Sequence, residues 1–262
     1  MSGAIAAIAS GVPRLWTPAQ LGSEVFAWWD ASYAPSISFG SGSNVASWTD
    51  RINGVVASQG NGAKQPTWSA TANNNTPGLA FDIAGSTSLA FTLPSDPSVG
   101  GELWVCVALN KSATTVTTLN TMFAAGAYAT GKGIAMSIVT GDIATLDTWN
   151  VGEVGINGAG AGSHILLGDA LVNGRGDMFI DGVETLNTSL LGQWAITPLT
   201  GAIGSLGGSS YFFDGIIQQI VIVTGSLSTA TRQKLEGWLA WTCGSQGVLP
   251  AGHPYKSAPP RV

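Results

Sequence analysis

Residues 211–260 read YFFDGIIQQIVIVTGSLSTATRQKLEGWLAWTCGSQGVLPAGHPYKSAPP. The run from Phe212 to Val223 is rich in β-branched and aromatic residues and is broken by Asp214-Gly215. Such a run predicts a strand that is buried on at least one face.

An amphipathic helix is predicted directly after that strand. Ser228 supplies an N-cap hydroxyl, and Leu235, Trp238 and Leu239 follow at the spacing of one helix face. Gly244 stops the helix, and four prolines in the last thirteen residues prevent its continuation. Residues 248–262 are therefore predicted to be an extended tail.

The rest of the chain has the pattern of short strands and tight turns. Turn dipeptides such as Asn53-Gly54, Asn157-Gly158, Asn173-Gly174 and Asp181-Gly182 separate apolar runs. This spacing predicts an all-β fold, an antiparallel jelly-roll β-sandwich with one short C-terminal helix. At 262 residues and with no charged linker, we expect an arm (1–18), one sandwich (19–247) and the tail (248–262).

A family resemblance rests on motifs in both halves of the chain. The front-half motifs are FAWWDAS (26–32), VASWTDR (45–51), QPTW (65–68) and PGLAFD (77–82). The back-half motifs are MFIDG (178–182), FDGIIQQI (213–220) and LPAGHPY (249–255). Together they resemble concanavalin A-like, laminin-G-like domains encoded by tailed bacteriophages and prophages.

The resemblance implies a virion structural protein, assembled in the bacterial host cytoplasm. It would be a head decoration or fibre, or a tail-tip or fibre module, that binds other virion proteins, forms homo-oligomers and contacts host glycans. A soluble lectin or adhesion module is the alternative, and a glycan hydrolase is the third function. This fold carries all three functions, so the motifs predict the fold better than the activity.

The amino-acid composition argues for some classes of binding partner and against others. Charged residues make up 10% of the chain, and Gly numbers 36, so the polar surface is largely hydroxyl and amide. Such a surface suits a protein that is assembled or lies outside the cell. A net charge of −5 without a Lys/Arg cluster argues against nucleic acid as a partner. The run Ala4–Ala9 is too short for a membrane span and has no basic residue before it, so neither membrane insertion nor a cleaved signal is expected.

Catalytic residues are sparse, and we expect no enzyme. Sandwich glycanases carry alternating carboxylates on one strand, whereas the five glutamates here are scattered. With two histidines in the chain, a zinc centre or a Ser-His-Asp triad lacks parts. The two cysteines, Cys106 and Cys243, lie in apolar segments and read as small buried residues, with a disulfide as the alternative.

No cofactor is expected apart from calcium. Many sandwiches of this type hold Ca²⁺ with loop carboxylates, and Asp142 and Asp147 are the candidates here. Solvated loop acids are the alternative interpretation.

Seven of the ten tryptophans, together with two tyrosines, are assigned to two groups by their surroundings. Those in or beside the motif strands, which are Trp28, Trp29, Trp48, Trp68 and Trp104, are predicted to fill the space between the sheets. Rings in polar, Gly-containing segments are the candidates for glycan stacking or subunit contact, and these are Tyr128, Trp149, Trp194 and Tyr211. Packing beneath a loop is the alternative for these four.

The N-terminal segment is the second candidate for assembly. It carries the apolar residues Ile5, Ile8, Leu15 and Trp16, and it is unable to fold alone yet too hydrophobic to stay free in water. We expect it to dock on another virion protein or a symmetry mate, and a strand or loop that covers its own sheet is the alternative.

Overall fold

The computed structural model describes residues 14–113 and 118–262. In these ranges the α-helix is α1 (Thr229–Thr242), and short 3-10 turns occupy Pro18–Glu24, Ala34–Ser36, Gly62–Lys64 and Pro97–Gly100. The strands are β1 (Val25–Asp30), β2 (Ile37–Phe39), β3 (Val45–Thr49), β4 (Val56–Ser58), β5 (Thr67–Asn73), β6 (Thr76–Phe81), β7 (Leu89–Thr92), β8 (Glu102–Lys111), β9 (Leu119–Gly126), β10 (Gly133–Val139), β11 (Ile143–Asp147), β12 (Glu153–Asn157), β13 (Gly162–Leu171), β14 (Arg175–Ile180), β15 (Val183–Leu190), β16 (Thr200–Ile203) and β17 (Gly215–Thr224).

The strands form two antiparallel sheets. The eight-stranded sheet has the order β15-β14-β13-β8-β17-β6-β5, with β1 paired to β17, and the nine-stranded sheet has the order β12-β11-β10-β9-β16-β7-β4-β3-β2. Strands far apart in sequence are neighbours in the middle of both sheets, as β8 and β17 are in one and β9 and β16 in the other, which is the pattern of a jelly roll. The predicted fold class, an all-β jelly-roll sandwich with one C-terminal helix, is confirmed.

The helix and its cap were predicted correctly, and the strand before it begins later than predicted. The Ser228 hydroxyl accepts a hydrogen bond from the Thr231 amide at 3.2 Å, and Gly244 ends the helix with φ of +64°. β17 starts at Gly215 rather than at Phe212. A Cβ at Gly215 would lie 2.3 Å from the Asn110 carbonyl oxygen, so this close approach to β8 requires glycine.

The core between the sheets contains two of the five tryptophans predicted to lie there, Trp29 and Trp48, and both are fully buried. Trp68 is partly buried at its margin. Trp28 and Trp104 were predicted to lie there too, and that prediction is wrong. Because side chains alternate along a strand, Trp28 points away from Trp29, and both Trp28 and Trp104 pack between the eight-stranded sheet and the helix.

A second apolar layer therefore lies on the outer face of the eight-stranded sheet. The Trp28 ring meets the Trp238 ring of α1 edge-on, with 5.1 Å between centroids. Cys106 and Cys243 belong to the same layer as free, buried thiols, as their apolar segments predicted.

The described part of the N-terminal segment contacts its own domain. The Trp16 amide donates to the Pro260 carbonyl at 3.0 Å, and Leu15 pairs with Arg261 in an antiparallel bridge. Trp16 is buried in the layer beneath the helix, which corrects its assignment to an outward-docking arm and matches the alternative interpretation, whereas Leu15 is half exposed. Ile5 and Ile8 lie outside the described residues. No helix in the described ranges is long and apolar enough to cross a membrane.

Candidate functional site

The outer face of the nine-stranded sheet carries an open groove. Its floor comes from β4, β7 and β16, where every second side chain points outward: Val56 is 47% exposed, and Ala90 and Thr92 are also exposed. The groove encloses about 770 Å³. That volume is within the range of small-ligand sites.

The groove is lined by uncharged residues, both polar and apolar. Hydroxyl and amide groups come from Ser58, Thr92, Thr200 and Asn53, and no lining residue carries a charge. Gly201 makes room for the Phe91 ring on the core side of the sheet, since a Cβ there would lie 2.3 Å from Phe91 Cζ. The lining therefore offers hydrogen bonds without an electrostatic field.

Trp149 lies on the same outer face of the nine-stranded sheet, beneath a loop. Trp149 packs with Ala124, Ala135 and Leu206 in a separate apolar cluster on the outer side of β9 and β10. Trp149 is 1% exposed, because the loop between β11 and β12 folds back onto the sheet. Its predicted role as an accessible stacking ring is thus corrected, and the alternative of packing beneath a loop holds.

Tyr128 stands on that buried ring. The two rings meet at 86° with 4.7 Å between centroids, and Tyr128 is 65% exposed. Its loop begins at Gly126, which lines the groove. Trp149 thereby supports an exposed tyrosine on a loop that borders the groove.

The remaining two aromatic candidates differ in exposure. Trp194 is 1% exposed and belongs to the core between the sheets, so its predicted stacking role is also corrected. Tyr211 is 39% exposed, on the loop that contributes Gly207 to the groove. The structure thus leaves both tyrosines, and neither tryptophan, exposed on loops that each contribute one glycine to the groove.

The two calcium candidates are not brought together. Asp142 and Asp147 stand at opposite ends of β11, about 16 Å apart at the usual rise of a strand. Asp142 instead forms an ion pair with Lys111 at 3.2 Å. Within the described residues, no cluster of three or more His, Cys, Asp or Glu side chains has the geometry of a metal site.

Asp147 has a different neighbour, Glu153, directly opposite on β12. Both acids line a smaller cavity of about 400 Å³. Burial, followed by the nearby Glu153 charge, raises the pKa of Asp147 to about 6. Burial also raises the pKa of Glu153.

A further acid pair was not foreseen from the sequence. Asp169 on β13 lies opposite Asp177 on β14, and Asp169 is only 5% exposed. Its Oδ1 atom has no hydrogen-bond partner. Burial, and then the charges of Glu102 and Asp177, raise the pKa of Asp169 to about 8. The Asn173-Gly174 turn was a usable signal, because a hairpin around residue 173 sets this register.

Comparison with known proteins was made by sequence and by structure. No family model matches the sequence, and no curated protein matches it either. Solved structures do match. The binding domain of botulinum neurotoxin DC in complex with SialylT has a TM-score of 0.57 at 10% identity, over 82% of this chain and 52% of that chain.

Two further solved structures match most of this chain. Domain 4 of AbnA, a GH43 extracellular arabinanase from Geobacillus stearothermophilus, in complex with arabinotriose, has a TM-score of 0.53 at 16% identity, over 81% of this chain and 98% of that chain. Trypanosoma rangeli sialidase in complex with sialic acid has a TM-score of 0.52 at 13% identity, over 88% of this chain and 36% of that chain.

The chain has a lectin-like jelly-roll fold. At these identities the likeness shows the fold alone, and the chain spans about half of the neurotoxin binding domain but nearly all of Domain 4. In this jelly roll one outer face is covered by α1 and the tail, and the groove lies on the other.

Proposed function

We propose that the chain is a carbohydrate-binding domain that holds an uncharged stretch of glycan in the groove beside Tyr128. The observation that carries the proposal is the groove itself, which is charge-free, lined by hydroxyl and amide groups and bordered by a supported, exposed tyrosine. A pyranose ring has an apolar C–H face and a rim of hydroxyls, and both find partners here.

The structural neighbours support a glycan as the ligand class. Two of these neighbours were solved in complex with arabinotriose and with sialic acid. Ligand identity does not transfer with a fold, so the groove chemistry in this chain, and not the likeness, selects an uncharged glycan segment.

Binding without cleavage is part of the proposal. Glycoside hydrolysis needs two carboxyl groups that flank the scissile bond, and the lining of the groove contributes none. A carbohydrate-binding role is therefore favoured over a hydrolase.

The biological setting that we propose is a phage or prophage particle, in which this domain contacts host surface glycans. The sequence motifs described above and the low content of charged residues support this setting. A soluble lectin with the same groove is the alternative. Mass spectrometry of purified particles separates the two settings, since a soluble lectin would be absent from the virion.

The binding experiment starts with a glycan array and continues with isothermal titration of the best uncharged glycan. We expect Tyr128→Ala to weaken binding roughly tenfold, which corresponds to the loss of about 1.4 kcal/mol of stacking. Tyr33→Ala is the matched control, because Tyr33 is another exposed tyrosine and lies between β1 and β2, a connection that contributes no residue to the groove. Equal affinities of wild type and Tyr128→Ala would contradict the proposal that the glycan lies beside Tyr128.

A further inference from the structure

Arg51 lies beside two aromatic rings, on the loop between β3 and β4. Its Cζ is 4.0 Å from the Trp28 ring centroid and 4.4 Å from that of Tyr33. Trp28 belongs to the buried layer beneath α1, whereas Tyr33 is 43% exposed. The guanidinium is thus flanked by two rings, while its N–H groups point outward in its own plane and can bind an acceptor at its edge.

One edge of the guanidinium is already fixed. Nη1 of Arg51 donates to Oδ2 of Asp30 at 2.6 Å, and the Asp30 side chain is 2% exposed. The other Asp30 oxygen accepts from the amide and hydroxyl of Ser32, at 2.9 and 2.6 Å. Asp30 is therefore satisfied, and it fixes the plane of the guanidinium.

The loop that carries Arg51 is rigid for a separate reason. The buried carboxylate of Asp50 accepts hydrogen bonds from the amides of Trp28, Ile52, Asn53 and Val55, at 2.7 to 3.3 Å. Four convergent amides hold this carboxylate and close the turn around it. Arg51 is consequently placed in advance of any ligand.

The outer edge of Arg51 remains available. Its side chain is 30% exposed, and Asp30 is its one hydrogen-bonding acceptor within the described parts of the chain. A planar fork of N–H donors on a fixed plane matches the two oxygens of a carboxylate. The exposed Tyr33 ring beside it offers an apolar surface to the group that bears the carboxylate.

We propose that Arg51, with Trp28 and Tyr33, forms a binding site for the carboxylate of an acidic sugar. The Arg51–Asp30 pair is close to neutral overall, so recognition comes from directed hydrogen bonds rather than from long-range attraction. We expect a monosaccharide to bind with a dissociation constant in the millimolar range.

This site is distinct from the groove. Asn53 and Gly54 of the same loop line the groove, but Arg51 packs on Trp28, on the outer side of the eight-stranded sheet. Different substitutions therefore test the two sites. Tyr33→Ala affects this site and Tyr128→Ala affects the groove, so failure of one proposal leaves the other intact.

The test uses the full chain and follows the Arg51 Nε–Hε signal by ¹H–¹⁵N NMR. N-acetylneuraminic acid and glucuronic acid are titrated, with glucose as the neutral match and acetate as the bare carboxylate. We expect saturable shifts with the two acidic sugars, none with glucose, and roughly fivefold weaker binding of acetate, which lacks a ring to contact Tyr33.

Variants complete the test. Arg51→Lys keeps the charge opposite Asp30 but lacks the planar fork, and we expect it to weaken acidic-sugar binding roughly fivefold. Tyr33→Ala alters a surface ring and leaves the ion pair in place, so it tests the site even if Arg51→Lys folds poorly.

Two results would overturn the proposal. An unmoved Arg51 signal, or unchanged affinity in Tyr33→Ala, would remove the site. Equal binding of acetate and the acidic sugars would remove the sugar as its ligand.

Discussion

The imidazole of His253 contacts the carboxylate of Glu236 inside the protein, with 3.1 Å between Nε2 and Oε2. Glu236 lies on α1 and is fully buried, and Arg232 of the same helix contacts its other oxygen. His253 lies in the tail. One buried carboxylate thus joins the tail to the helix.

Replacing His253 is therefore expected to destabilise the fold. His253→Ala leaves a buried acceptor with one partner fewer, which costs about 3 kcal/mol of unfolding free energy. Chemical denaturation measures this change. Ser257→Ala, at an exposed position of the same tail, is the control and should not alter stability. A change below experimental error in His253→Ala would mean that the contact does not hold the tail.

Asp147 is expected to make stability fall as pH rises. Burial and the facing Glu153 raise its folded pKa to about 6, above the unfolded value of 3.8. The unfolded chain releases this proton at a lower pH than the folded chain does. The stabilisation that the protonated Asp147 gives the folded state is therefore fully present below pH 3.8 and is lost as the pH rises to about 6. Thermal unfolding of Asp147→Asn from pH 4 to 7 should show a flatter profile than wild type between those limits. Identical profiles would contradict the assigned cause.

Asp169 is expected to act in the same direction over a wider window. Burial and the neighbouring Glu102 and Asp177 charges raise its folded pKa to about 8, so stability is lost progressively up to that pH. Asp169→Asn mimics the protonated acid and should raise Tm at pH 8 more than at pH 5. Asp177→Asn provides the comparison, since it removes one of the repelling charges and should raise Tm at pH 8 by a smaller amount. A lower Tm in Asp169→Asn at pH 8 would show that the ionised carboxylate stabilises the fold.

Both thiols should be unreactive in the folded protein. Burial first, and then the charges of Glu236 and Asp169, raise the pKa of Cys106, and burial likewise raises the pKa of Cys243. Thiolate is the reactive form, so iodoacetamide should label neither residue until denaturant unfolds the chain. Mass spectrometry counts the labels. Rapid labelling of either cysteine under native conditions would show that the layer beneath the helix opens.

Local signals predicted the closing part of the fold. Ser228 and Gly244 mark the two ends of α1. A serine before an apolar helical pattern and a glycine after it are the usual residues for an N-cap and for a left-handed C-terminal position. The direction of Trp28 was beyond such signals. Two adjacent tryptophans must point to opposite faces of a strand, and the sequence does not say which face meets the other sheet.

The candidate site was predictable only in pieces. Tyr128 and Tyr211 were chosen for their loop-like surroundings, and both are exposed. Trp149 and Trp194 shared those surroundings but are buried. The composition of a loop does not say whether the loop folds back onto the protein, so the sequence could not separate these two rings from the exposed tyrosines. The groove floor combines β4, β7 and β16, which are far apart in sequence, so no local pattern marks it.

The bridge between Leu15 and Arg261, extended by the hydrogen bond from the Val262 amide to the Arg14 carbonyl at 2.9 Å, sets the two ends of the described chain side by side. Each of these two segments supplies the hydrogen-bonding partner of the other, so loosening either one leaves backbone groups of the other unpaired, and we expect the two to fray together.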